Sequence, residues 1–458
     1  MRTQLLFLLY FCLVCCISGC GYADENAENS ETGPREKSCS VEEFALNWYQ
    51  KCAQRNPEEN LILSPLATYR MLGALYLGSE KQTAEQIRKG MCWSGDREMW
   101  IKSMNQISRQ FLDTKEVEMA DGIWIQEKYS IQGAFAGMLR DMGNAEVQNV
   151  DFTEEQTRDK INFWIKEKTA EKIPELLKEL SSDARLVLTN TLTFQGNWKE
   201  AFDKQNTRSG YFTSLKGEEV RFPLMQREGD YRYLRQEDFQ WMEMPYEGER
   251  FMMAIFLPKS YDMFFALEKR LTPELLRECR EKSEKTHLDV RIPRFVLSQD
   301  FQAVPVLKEL GIVDAFQSTA DFSGITGAND LMVSSIIQGN FLRVDEKGTQ
   351  AAAATAAEFL PKSAPVNDIP RFYADRPFVF VIYDVKTEMI LFCGRFVDPE
   401  GMKKMAAEFP EEIAIIESSG NNPDEESSVP IMPNSAKEII VETVHSNLNT
   451  SGVGGTME

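Results

Sequence analysis

The period of apolar residues changes part-way along the chain. From Val41 to Arg55 apolar positions recur at helical spacing. Ser64-Pro65 then supplies a capping hydroxyl and a proline at the first helical position, which predicts a helix to about Leu77. Thr83 to Lys89 predicts a short amphipathic helix and Glu98 to Leu112 another. Asp159 to Leu180 predicts one or two more, interrupted at Pro174. Leu186–Gln195, Phe239–Pro258, His287–Leu297, Leu331–Val344 and Phe378–Val397 are alternating or rich in β-formers, so each reads as strand. Helices and strands segregate rather than strictly alternate, which predicts an α+β fold with large antiparallel sheets.

The two ends lack this patterning. Arg2 precedes an apolar run, Leu5–Ile17, that is too short to span a bilayer and is followed by small residues. Residues 1–19 therefore read as a signal peptide. Ile17-Ser-Gly-Cys20 also resembles a bacterial lipobox, in which Cys20 would be lipidated; ordinary cleavage near Gly19 or Ala23 is the alternative. The expected location is secreted and extracellular, or tethered to the cell surface through Cys20. Residues 20–38 are polar and aperiodic, a flexible linker. Residues 39–399 contain no Pro/Gly/Ser-rich break and no repeat, and read as one domain. Residues 400–458 carry eleven acidic and three basic side chains and read as a disordered acidic tail holding the Asn449-Thr-Ser glycosylation sequon.

Charge and composition narrow the chemistry. Lys and Arg number 51 against 71 Asp and Glu, so the formal charge is −20. Nucleic acid and acidic membrane surfaces are poor partners for such a body. Only two histidines occur, His287 in a predicted strand and His445 in the tail. A Ser-His-Asp or Cys-His hydrolase needs a well-placed histidine base, so an enzyme is not expected. No His/Cys spacing suits zinc, and neither metal nor cofactor is expected. Of nine cysteines, Cys12, Cys15, Cys16 and Cys20 lie in the leader, and the other five form no disulfide framework. Cys39 and Cys52 are a candidate pair, and Cys393 reads as a buried apolar thiol.

The segment from Val344 to Pro365 is the unusual one. It lies between two apolar strands and contains a run of small residues, Thr349-Gln-Ala-Ala-Ala-Ala-Thr-Ala-Ala357. A solvated surface loop or an alanine-rich helix is the plain reading, but Gly348 and two threonines weaken the helix. Taken with period two, Thr349, Ala351, Ala353, Thr355 and Ala357 share one small, uncharged face, while Gln350 and Glu358 fall on the other. Register is thereby specified. Nothing from Gly348 to Ala357 would block a ladder. The segment is suited to pass from exposed loop to buried central strand.

These residues carry a family resemblance. Over about residues 39–399 the chain resembles serpins. Glu346-Lys-Gly-Thr-Gln-Ala-Ala-Ala-Ala-Thr355 is similar to an inhibitory serpin hinge, and Phe372-Tyr-Ala-Asp-Arg-Pro-Phe-Val-Phe-Val-Ile382 to the signature downstream of it. Asn190–Phe202, with Trp198, resembles the strand and turn of the family's breach. Asn60–Pro65, Pro245-Tyr-Glu-Gly248 and Phe392–Pro399 resemble three more landmarks.

The resemblance implies a serpin fold of three β-sheets and about nine helices with an exposed reactive-centre loop. It implies a monomeric suicide-substrate inhibitor that forms a covalent complex with its target protease. Counting from the hinge Glu346 places the bait bond at Lys362-Ser363, and a lysine there selects a trypsin-like serine protease; Phe359 and Pro361 would tune that choice. By analogy Glu346 would pair with Arg294. Ala67 and Gln338 stand where the family commonly has a serine and a histidine, so the polar cluster of Gln338 and Asn190 beneath the opening sheet must differ. The helix Glu98–Lys115 carries no basic run, and no heparin activation is expected. A non-inhibitory serpin acting as a binding or carrier protein is the alternative.

Overall fold

The computed structural model describes residues 40–112, 114–143, 145–349 and 369–405. Eleven α-helices lie among them: α1 (Val41–Arg55), α2 (Pro65–Gly78), α3 (Lys81–Gly90), α4 (Arg97–Leu112), α5 (Gly133–Met142), α6 (Glu155–Lys168), α7 (Phe264–Glu268), α8 (Pro273–Lys282), α9 (Val304–Glu309), α10 (Ser323–Thr326) and α11 (Pro399–Met405). The strands are β1 (Leu61–Leu63), β2 (Val117–Gln126), β3 (Ala145–Val150), β4 (Leu186–Phe194), β5 (Gly196–Asn197), β6 (Arg208–Thr213), β7 (Glu219–Arg235) and β8 (Phe239–Pro245). They continue with β9 (Phe251–Pro258), β10 (Glu284–Pro293), β11 (Phe295–Gln302), β12 (Val333–Val344), β13 (Gly348–Thr349), β14 (Arg371–Tyr373), β15 (Phe378–Asp384) and β16 (Ile390–Phe396).

The strands make two sheets rather than the three expected. One has nine strands, in the order β1-β16-β15-β9-β8-β7-β10-β14 with β6 on β7. The physical reason is β7, an unbroken run of 17 residues. Its first part pairs with β6, its middle with β10 and its last four residues with β8, so it fuses two sheets into one. The other sheet has seven strands, β3-β2-β4-β12-β13-β5, with β11 on β12.

Helix α2 joins these layers. The Ser64 hydroxyl accepts from the Ala67 amide, Pro65 sits in the first turn, and every residue of the helix is buried. It packs against β16 of one sheet and β4 of the other. Strand β4 is buried at all nine positions, as a strand covered on both faces must be. Phe295, Phe378, Phe380 and Phe396 interlock at centroid distances of 5.0–6.5 Å and fill the space between β11, β15 and β16.

Helix α6 stops at Lys168, ahead of the expected interruption at Pro174, and no second helix follows before β4. Ala170 and Glu171 adopt φ of 47° and 65°, which turns the chain out of the helix. The Asn162 side chain replaces the missing helical bonds: its oxygen accepts from the Leu176 and Leu177 amides, and its amide donates to the Leu177 carbonyl. Residues 169–177 become a strap over the seven-stranded sheet. A Cβ on Gly339 of β12 would lie 2.8 Å from Ile173 Cδ1 and 3.1 Å from Leu176 Cδ1, which places the strap directly on that strand.

Cys52 keeps a free, buried thiol, so the expected Cys39–Cys52 pair does not form. Cys92 is disulfide-bonded instead. Cys393 is buried, as its apolar surroundings suggested, and burial pushes its thiol well up from the ordinary range.

Candidate functional site

The site is built where β12 ends and the small-residue segment begins. The chain reverses across Asp345–Gly348. The Asp345 amide donates to the Gly348 carbonyl at 2.9 Å, and Asp345 Oδ1 accepts from the amides of Lys347 (2.8 Å) and Gly348 (3.2 Å). Thr349 then lies antiparallel to Val344 of β12 on one side and to Gly196 of β5 on the other. Gly348 is needed here. A Cβ on it would fall 2.0 Å from the Gly196 carbonyl oxygen.

Glu346 points into the protein. Its carboxylate ion-pairs with Arg294 and accepts from the Thr207 hydroxyl at 2.6 Å, with side-chain exposures of 1% and 5% for Glu346 and Arg294. The Glu346 carbonyl takes the Phe202 amide at 2.8 Å. Trp198 closes the other side. Its amide donates to the Lys347 carbonyl at 2.7 Å, its indole N–H to the Asp345 carbonyl at 2.9 Å, and its ring stacks on Tyr246 at 4.4 Å. Thus Glu346, Gly348, Thr349, Trp198 and Arg294 all meet at one end of the seven-stranded sheet.

Asn190 and Gln338 lie lower in that sheet. They are register partners on the adjacent strands β4 and β12, and Asn190 is in turn opposite Asp121 of β2. Gln338 reads both backbone groups of Ser64, accepting from its amide at 3.2 Å and donating to its carbonyl at 2.7 Å; it also donates to Thr68 Oγ1 at 3.1 Å. Thr68 therefore supplies a hydroxyl one residue after Ala67. Asn190 donates to Asp121, which Arg70 holds through Nε at 2.9 Å and Nη2 at 2.7 Å. The row Asp121–Asn190–Gln338 crosses the strands that would have to part for a new strand to enter.

Other residues of the expected site, Ala351, Ala353, Thr355, Phe359, Pro361, Lys362 and Ser363, lie outside the described residues, as do Cys20 and the tail beyond 405. Tyr246 was missed as a site residue. Its Pro245-Tyr-Glu-Gly248 motif was visible in the sequence, but nothing there placed its hydroxyl 2.6 Å from Thr349 Oγ1.

Two clefts open on the described surface, the second of them lined in part by Trp198 of the site. One, of about 590 Å³, lies on α4 between Lys102, Arg109, Arg250 and Lys386, with Asp141 facing them. Lys102 is paired with Glu98 and Arg250 with Asp384. The other, of about 370 Å³, contains His287, whose Nδ1 is 2.8 Å from Asp230 Oδ1. No serine, threonine or cysteine lines it. Among the described residues no group of three or more His, Cys, Asp or Glu could hold a metal ion, and no helix is long and apolar enough to cross a membrane.

Comparison with known proteins gives a consistent result. Residues 40–399 match the family model described as Serpin (serine protease inhibitor). The chain is 34% identical over 374 residues to Serpin B6 of Pongo abelii, an alignment covering 78% of this chain and 97% of that protein. It resembles the structure of a thyroxine-binding globulin complex with thyroxine, at TM-score 0.72 and 25% identity, covering 78% of this chain and 98% of that one. It also resembles native protease nexin-1 with heparin, at TM-score 0.71 and 27% identity, with coverages of 78% and 98%.

Proposed function

The chain belongs to the serpin family, and from that premise we propose that it is a suicide-substrate inhibitor of a trypsin-like serine protease, with Lys362-Ser363 as the bait bond. Members of the family are protease inhibitors, generally without an enzymatic activity of their own. The observation that carries the inhibitory reading is the placement of Thr349. The first residue of the small face already pairs with strands on both sides and has no exposed surface.

The proposed steps are these. The protease serine attacks the Lys362 carbonyl carbon. The C–N bond to Ser363 breaks, the new Ser363 amine leaves with the proton held by the enzyme's base, and an ester joins the serine to Lys362. Water would ordinarily cleave that ester. Insertion of residues 349–362 between β4 and β12 carries the acyl-enzyme away before it does. Loop insertion in serpins is a general example of strand addition and of stored strain released by proteolysis.

A denaturing gel tests this reading. Trypsin and the purified chain should give a band at the summed mass that survives boiling, with a released fragment beginning at Ser363. The likeness to a thyroxine-binding globulin complex favours a second reading, a non-inhibitory serpin acting as a binding or carrier protein. Clean cleavage by trypsin, chymotrypsin and elastase, without any stable complex, would favour it.

The α4 cleft bears on activation. Two of its four cations are already ion-paired, which supports inhibition independent of heparin. We also propose secretion, supported by the Leu5–Ile17 run. Metabolic labelling with palmitate tests the tether: incorporation lost in Cys20→Ser would establish it, and no label in the parent chain would leave secretion as a free protein.

A further inference from the structure

We propose a second binding site, separate from the bait loop: the open edge of β7, where a short extended peptide with basic side chains adds as a strand.

The edge follows from the course of β7. Glu219–Leu224 pairs with β6, and Arg232–Arg235 pairs with β8. From Gln226 to Asp230 the strand has β10 as its ladder partner on one side, and no strand is paired to it on the other. In an antiparallel ladder alternate residues turn their N–H and C=O away from the partner, so part of Gln226–Asp230 directs both groups to the free side. Among the described residues no backbone group outside the sheets bonds to them. An unpaired edge is a template for a further strand.

The free side opens into the 370 Å³ cleft, which Trp198, Lys199, Glu200, Met244 and Pro245 also line. Arg227 reaches across it to the Glu200 carbonyl. Neighbouring strands lie about 4.8 Å apart, so a gap bridged by a whole arginine side chain admits one. Tyr231 lines the same cleft. It is 4% exposed, and its hydroxyl has no hydrogen-bond partner among the described residues. A buried polar group left unpaired is costly, so this side of β7 is incomplete as it stands.

Side chains decide what kind of peptide fits. Along β7, Glu228 and Asp230 are exposed while Gly229 and Tyr231 are buried, and an added strand alternates in the same way. Its inward residue has little room. A Cβ on Gly229 itself would fall 2.6 Å from Arg227 Nη2 and 3.2 Å from Tyr231 Cε2, so a small side chain is required there. Its outward residues lie beside carboxylates. Asp230 already holds Lys285 at 3.2 Å and His287 Nδ1 at 2.8 Å. Arg227 is taken by Glu200, and Lys199 by Glu249. Glu228 has only His287 Nε2, at 4.0 Å, and its register partner on β10 is Asp289, a like charge. The cleft thus keeps one carboxylate without a fixed cation, and a lysine or arginine on the added strand supplies it.

The test uses the full chain and a fluorescent form of the peptide acetyl-Ala-Lys-Ala-Lys-Ala-amide. Anisotropy should show saturable binding, and backbone hydrogen exchange should slow at Gln226–Asp230. The same peptide N-methylated at its central residues cannot form a ladder and should bind at least about tenfold more weakly. Replacing its lysines by glutamates, or Glu228→Gln in the protein, should each weaken binding about three- to tenfold. The Glu228 side chain is 59% exposed, so this variant keeps the fold. No saturable binding, equal binding of the methylated peptide, or indifference to Glu228→Gln would overturn the site. Protection that appears on β4 and β12 instead would place the peptide in the other sheet and overturn it equally. None of these readouts requires a trapped protease, so the site stands or falls apart from the inhibitory reading.

Discussion

At the scale of the residue, Glu346 is the position from which the proposed bait bond is counted, and it is buried in an ion pair. Taking an uncompensated charge out of water is expensive, so breaking a buried pair from one side costs more than the pair contributes. Glu346→Gln keeps an acceptor for Thr207 but removes the carboxylate from Arg294, and should lower stability by about 3 kcal/mol in urea unfolding. A loss within error would mean that Arg294 is held by its other contacts. Thr349→Arg asks a different question. The site has no exposed surface, and a guanidinium there would have to be buried for the hinge to dock or the loop to insert. The variant should fold, be cleaved by trypsin and fail to trap it. An unchanged stoichiometry of inhibition would contradict insertion through this face.

At the scale of the element, the strap of residues 169–177 lies across the sheet that would open in the proposed loop insertion. Lys172 is buried in it, and its Nζ has no hydrogen-bond partner among the described residues. Burial holds its ammonium below the ordinary lysine range, with Glu118 opposing the shift. A lysine whose folded pKa is lowered destabilises the native state while it is charged, and that cost fades as pH rises through the lowered value. Lys172→Met should therefore be more stable than the parent by about 1 kcal/mol at pH 7, and the gap should close as pH rises toward the ordinary lysine range. A gap that widens with pH would refute this. Sequence legibility also divides by element. Caps and spacing gave α1 and α2 almost to the residue, and apolar density gave β4 and β12. Strands β2 and β7 were not among the expected strands; Gly122, Pro223 and Gly229 interrupt the β-former pattern within them. In the fold, Gly122 makes room beside Trp124 and Thr189, and Pro223 sits near the point where β7 leaves β6 for β10. The hinge, Arg294 and Trp198 were legible through family resemblance. The Tyr246–Thr349 contact was not, because a bond between side chains 103 residues apart leaves no periodic trace.

At the scale of the whole molecule, the question is where the energy for trapping a protease resides. Strands β4 and β12 are neighbours and run parallel, in a sheet where β12 pairs antiparallel with β11 and β2 antiparallel with β4. Parallel pairing is the less stable kind per residue. The hinge strand β13 already runs antiparallel to β12 and to β5. A strand continuing from it would replace one parallel ladder by two antiparallel ones. Thr349 to Lys362 spans fourteen residues. After subtracting the lost parallel ladder, about 20 bonds are gained, and at a net ~0.5–1 kcal/mol each the relaxed form is favoured by on the order of 10 kcal/mol. That matches the stability of a whole domain, so it is enough to distort an attached protease. The same sum predicts an effect that needs no target enzyme. Cutting the chain between Ala357 and Lys362 frees the loop to insert, and should raise the melting temperature by about 20 °C, taking ~2 °C per kcal/mol for a chain of this size. The cut protein should also refuse a synthetic peptide of residues 349–362 that the intact protein accepts, because its seam is already filled. A cut protein that melts with the intact one, and still takes up the peptide, would place the β4–β12 seam among sheets that never open, and the carrier reading would then account better for the fold.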